Sequence, residues 1–85
     1  MYLHLGQDTV IRKNDIIGIF DIDTSTVSKI TREYLARKEK EKNCITVSYE
    51  LPGSFAVCTD SDNNETVYIS QLSASTLLKR SADIF

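Results

Sequence analysis

"IIGIFDIDTS", residues 16–25, decides the fold, because its letters admit two readings that belong to different architectures. An apolar run closed by Asp-x-Asp-x-Thr/Ser is how aspartyl-phosphate phosphatases begin, with the first Asp as nucleophile and the second as general acid. The same letters also describe a strand that hands over to a helix whose first turn is capped by short polar side chains. Phosphoryl transfer through an aspartate needs a phosphate-binding Ser/Thr and Lys, and further carboxylates for Mg²⁺, on later strands of a doubly wound parallel sheet. The last three strands of this chain are joined by hairpin-length loops, which give antiparallel pairing instead. Asp21 and Asp23 therefore read as strand-end and helix-capping residues, where carboxylates also complement the helix dipole. "IIGIFDI" itself predicts a central strand covered on both faces, with Gly18 marking a bulge or a close backbone passage.

Upstream, "MYLHL" alternates and reads as a strand, Gly6-Gln7-Asp8 as a turn, and "TVI" as the returning strand of a hairpin. Downstream the period changes at Thr24. Val27, Ile30 and Tyr34 fall on one stripe with Leu35 beside it, and Lys29, Arg32 and Lys40 lie on the far face. Glu33 and Arg37 make a favourable i, i+4 pair, and the lysine-rich ending "RKEKEK" suits the negative pole of a helix over 24–42. "CITVSYE" and "SFAVCTD" read as strands joined through a type II turn at Pro52-Gly53. The polar loop "SDNNE" leads to a third strand, "TVYISQ". "SASTLLKRSADIF" closes the chain as a helix capped by Ser73, with Leu77 and Leu78 apolar. The fold class is α+β, a mainly antiparallel sheet with two helices in the order β-β-β-α-β-β-β-α, forming one domain over residues 1–85.

Composition narrows the function. With 85 residues, 41% hydrophobic and 26% charged, the chain is an ordinary globular domain with one modest core. A net charge of −2 gives no global attraction to nucleic acid, so such binding has to come from a local patch. No apolar run approaches the ~20 residues of a membrane span, and "MYLHLGQD" lacks the pattern of a secretion signal. Cys44 and Cys58 read as small buried hydrophobes, and His4 as a half-exposed strand residue with no second histidine to share a metal. "DSDNNE", residues 60–65, imitates the start of a calcium loop, but Glu65 and Gln71 stand where Gly and Glu are needed. Nothing here arranges a nucleophile beside a base. The reading is of a non-enzyme with no cofactor and no metal.

What remains is basic. Arg12-Lys13, Lys29, Arg32, Arg37-Lys38, Lys40, Lys42 and Lys79-Arg80 form separated clusters, which repetition around an oligomer turns into an electrostatic footprint.

"MYLHLGQDTVI", "DIIGIFD" and "YISQLSASTLLKR" resemble, in the same order, stretches of the small bacterial RemA/RemB family of extracellular-matrix regulators. The resemblance runs from Met1 to about Arg80. It implies a cytoplasmic bacterial protein that switches on matrix genes, and its RemA branch implies DNA binding by a ring. That branch carries an arginine-rich loop where this chain has "ELPGS", and tends to have arginine where Asp15 stands; Arg80 matches one of its basic positions.

The expectation is a regulator of matrix (biofilm) genes that grips the DNA backbone as a homo-oligomer. Arg12, Lys13, Lys79 and Arg80 are the contacts, with Lys29 and Arg32 as outer candidates. Such contacts position a protein without reading sequence, so preference is left to DNA shape or to spacing across the oligomer. Tyr49 and Tyr68 are the candidate interface residues, since large amphipathic side chains suit interfaces, and one face of "TVYISQ" is expected to look away from the core. Partners are DNA, further copies of the chain and a RemA-type paralogue, with no membrane. The alternative is an oligomeric protein-interaction module that never touches DNA. Shared or separate faces for the basic clusters distinguish the two.

Overall fold

Alternation over Tyr2–Gly6 (β1) and Thr9–Arg12 (β2) produces a two-stranded antiparallel ribbon, in which Leu3, Leu5 and Ile11 point inward and are buried. The computed structural model describes residues 2–7, 9–22, 29–48 and 50–82. A short 3-10 turn over Lys13–Asp15 leads into β3, Ile16–Asp21. Helix α1 occupies Lys29–Lys40, and the amino-terminal part of the expected 24–42 helix, with Asp23 and Val27, lies outside the described residues. Strands β4 (Cys44–Thr46), β5 (Ser54–Thr59) and β6 (Glu65–Ser70) follow, and helix α2 (Ala74–Ala82) closes the chain. The predicted element order holds. Ser73 caps α2, its hydroxyl accepting the Thr76 N–H at 3.1 Å.

The four longer-range strands form one sheet in the order β3-β5-β6-β4. Two expectations fail here. First, β3 is an edge strand rather than a central one. Its register with β5 does slip between Ile16 and Gly18, which is the bulge that Gly18 announced. Second, β4 and β5 do not form a hairpin: β6 inserts between them and pairs with β4 in parallel. Gly53 consequently sits in no type II turn. Its φ is not positive, and its N–H donates to the Ser70 carbonyl at 2.9 Å. Glycine is needed for room, because a Cβ there would lie 2.8 Å from the Leu72 carbonyl oxygen.

Side chains alternate across this sheet, and both faces are used. Ala56 and Cys58 meet Leu3, Leu5, Ile11 and Leu77 beneath the ribbon and α2. Phe55, Val57 and Val67 meet Tyr34, Leu35 and Cys44 beneath α1. The result is three layers, with β6 covered on both sides. Helix α1 lies over β4 and β6, whereas α2 packs on β1 and β3.

Two buried serines pin the layers together. Ser70 Oγ donates to the Leu5 carbonyl at 2.6 Å and accepts the Leu72 N–H at 3.0 Å, tying the ribbon to the sheet. Ser54 Oγ donates to the Leu72 carbonyl at 2.8 Å. Leaving a buried carbonyl unsatisfied costs about 1–3 kcal/mol. Ser70→Ala is expected to lower stability by that amount, measured as a shift of the urea midpoint. No shift would mean that the ribbon is held by its apolar contacts alone.

Candidate nucleic-acid interface

The ribbon's outer face and the end of α2 gather most of the predicted basic site. Arg12 is exposed at the end of β2, and Lys13 follows at the start of the 3-10 turn. Lys79 and Arg80 are exposed in the last turn of α2, where cations also complement the helix dipole. The Arg80 guanidinium reaches back to the ribbon, Nη1 donating to the His4 carbonyl at 3.4 Å. Ribbon and α2 form one layer, so Arg12, Lys79 and Arg80 belong to the same side of the sheet, with Lys13 next to Arg12 in the chain.

Lys29 and Arg32 do not. They are exposed on α1, which packs on the opposite face of the sheet. Lys29 is paired with Glu33 at 3.9 Å, a solvent-exposed contact worth little. The basic set thus divides into a ribbon–α2 group and an α1 group.

Lys38 departs furthest from its reading as part of a solvated run. It is buried, with Nζ 3.6 Å from both Glu41 and Glu65 and 5.8 Å from the Tyr34 ring centroid. Tyr34 donates its hydroxyl to Glu65 at 2.9 Å. Burial, and then the Glu65 carboxylate, push the Tyr34 phenol up to about 12. A tyrosine whose folded pKa exceeds its unfolded one contributes stability that is complete below pH ~10 and is lost as pH rises through the folded value. Thermal melts between pH 9 and 12 should therefore fall more steeply for the wild type than for Tyr34→Phe. Parallel curves would remove this account.

Tyr68 is half-buried against the first core, its phenol raised by burial and by nearby Cys58 and Asp15. Its alternation partners Val67 and Ile69 lie in or against the second core. The expectation that one set must face away from the core fails because a layer covers each side of β6. Tyr49 lies outside the described residues. Outward-facing apolar surface occurs elsewhere. Helix α1 makes its main contacts with β4 and β6, and an open groove of about 380 Å³ runs beside it toward β3, lined by Ile17, Phe20, Ile30, Phe55, Val57 and Tyr34. Ile17 is 59% and Ile30 79% exposed. Ile30 thus leaves the stripe predicted for it, since α1 turns Tyr34, Leu35 and Lys38 inward instead.

Among the described residues no three His, Cys, Asp or Glu side chains converge to hold a metal. The 60–65 stretch is a hairpin loop, in which Asp60 Oδ1 accepts the N–H groups of Asp62 at 2.9 Å and Asn64 at 3.0 Å. These bonds, that from Asn64 first, hold its carboxyl below the usual range. Both cysteines are free, and burial raises the Cys58 thiol to about 11. Arg12 borders a second hollow of about 260 Å³ with Asp15 and Asp60, yet has no ion pair among the described residues. No described helix is long and apolar enough to cross a membrane.

The chain is 40% identical over 85 residues to extracellular matrix regulatory protein B of Bacillus subtilis strain 168, covering 100% of this chain and 95% of that protein. No family model matches the chain.

Proposed function

The chain belongs to the extracellular matrix regulatory protein B family, and from that premise we propose that it is a non-enzymatic, cytoplasmic regulator of extracellular-matrix gene expression. It works as a homo-oligomer that holds the DNA backbone through Arg12, Lys13, Lys79 and Arg80. The observation that carries the regulatory role is the identity over the whole chain with a regulatory protein. Support for DNA as the partner comes from Arg12, Lys79 and Arg80, which share the ribbon–α2 layer, and from Lys13 next to Arg12. Lys29 and Arg32, on the other side of the sheet, drop out of the contact set. Each subunit offers few phosphate contacts, so useful affinity requires that the layer be repeated around an assembly.

Self-assembly has support of its own. Strand β3 lies at the edge of the sheet among the described residues, and beside it the apolar groove exposes Ile17 and Phe20. Surfaces of this kind are normally covered by a partner. The same groove favours the second reading, a protein-interaction module whose oligomer leaves DNA untouched, with a RemA-type paralogue as a candidate partner.

Native mass spectrometry with and without a short duplex tests the proposal. The expected result is a single closed multiple of the chain mass that gains the mass of the duplex. A micromolar monomer that takes up no DNA would contradict it, and an oligomer that takes up none would favour the second reading.

A further inference from the structure

We propose that the outer face of the β1–β2 ribbon reads base edges in the major groove of duplex DNA, giving the protein sequence discrimination that its phosphate contacts cannot supply. This rests on DNA being the partner. The inward set of the ribbon is Leu3, Leu5 and Ile11, so its outward set is Tyr2, His4, Val10 and Arg12, all exposed. Register puts Tyr2 directly opposite Arg12 and His4 directly opposite Val10. The ribbon is a separate two-stranded sheet forming an outer layer of the domain, with no further strand hydrogen-bonded to it among the described residues. A two-stranded ribbon fits the major groove, which is about 12 Å wide.

The chemistry of the four side chains is what distinguishes this face from a simple cationic grip. It carries the guanidinium fork of Arg12, which on this reading turns from the backbone to the O6 and N7 of guanine, and an aliphatic group suited to the thymine methyl. His4 Nε2 donates to the Gln7 carbonyl at 2.7 Å, which leaves Nδ1 as the ring atom for a base edge. Arg12 is exposed at the end of β2 and makes no ion pair among the described residues. Lys79 and Arg80 stand beside the ribbon at the end of α2, Arg80 reaching the His4 carbonyl, and supply cations for phosphates that border the groove.

The face is also held rigid, as base reading requires. Ser70 bonds the Leu5 carbonyl, and Arg80 bonds the His4 carbonyl. At the turn, Gly6 has φ +116, which only glycine adopts readily, and it lies close to the Gln71 side chain.

The test is selection of duplexes from a random library with the full-length wild type, then titration of the selected duplex and a scrambled one. Arg12→Lys keeps the charge and removes the bidentate fork. The ratio of selected-duplex to scrambled-duplex affinity is expected to fall about tenfold. Lys79→Ala should weaken both duplexes alike. Discrimination unchanged in Arg12→Lys and in Tyr2→Ala, or a wild type that enriches no motif while binding both duplexes, overturns the inference and leaves backbone binding intact. Ribbon variants that change the oligomeric mass but not the discrimination assign the face to self-assembly, and overturn it too. No binding of any duplex at low salt removes the DNA reading itself, and the inference with it.

Discussion

Leu77→Ala is expected to destabilise the domain by about 2–5 kcal/mol, the range for a buried leucine truncated in a core that cannot collapse around the gap. Leu77 is 0% exposed and is the contact through which α2 joins the core formed with Leu3, Leu5, Ile11 and Ala56. Typical per-residue stability gives an 85-residue chain roughly 4–13 kcal/mol in total. One substitution thus removes a large share, and with it the platform that carries the ribbon, Lys79 and Arg80. Leu78, the next residue, is 55% exposed, and Leu78→Ala is expected to stay within about 0.5 kcal/mol of the wild type. Urea unfolding of both variants checks the contrast. Equal losses would mean that α2 seats its apolar face differently.

The second large effect concerns binding. Lys79→Ala together with Arg80→Ala should flatten the dependence of log affinity on log salt by about 1.8 for each engaged subunit, at ~0.9 per phosphate contact released. In an oligomer that engages several subunits, the losses multiply into orders of magnitude at low salt. Lys29→Ala with Arg32→Ala removes the same formal charge from the opposite side of the sheet, and should leave the slope within about one contact of the wild type. If the two double variants behave alike, net charge governs binding and the ribbon–α2 layer has no special part in it.

Local pattern was enough for the elements and not for their neighbours. Strict alternation in "MYLHL" and "TVIR" gave the ribbon, and the cap at Ser73 gave the start of α2. Strand order was hidden because β4 pairs with β6 rather than with the strand next to it in sequence, and three residues of "CIT" carry little register information. The same limit explains β3. Continuous hydrophobicity in "IIGIF" reads as burial on both faces, but an edge strand beside a half-covering helix keeps Ile17 and Phe20 exposed. Lys38 was illegible for another reason. Its partner Glu65 is far away along the chain, and nothing in "RKEKEK" marks which lysine turns inward. Tyr68 misled because alternation shows that two faces differ and cannot show whether both are covered. Arg12 and Lys79-Arg80 were legible as cations, but only the packing of α2 on β1 unites them.

The central claim is that the ribbon–α2 layer of a repeated subunit grips the DNA backbone. A titration of the wild-type protein with duplex DNA over a series of salt concentrations tests it most directly. The account predicts that log affinity falls linearly with log salt, with a slope of about −0.9 for every phosphate contacted and therefore several units in all. A complex whose affinity ignores salt, or no complex at the lowest salt, would contradict it.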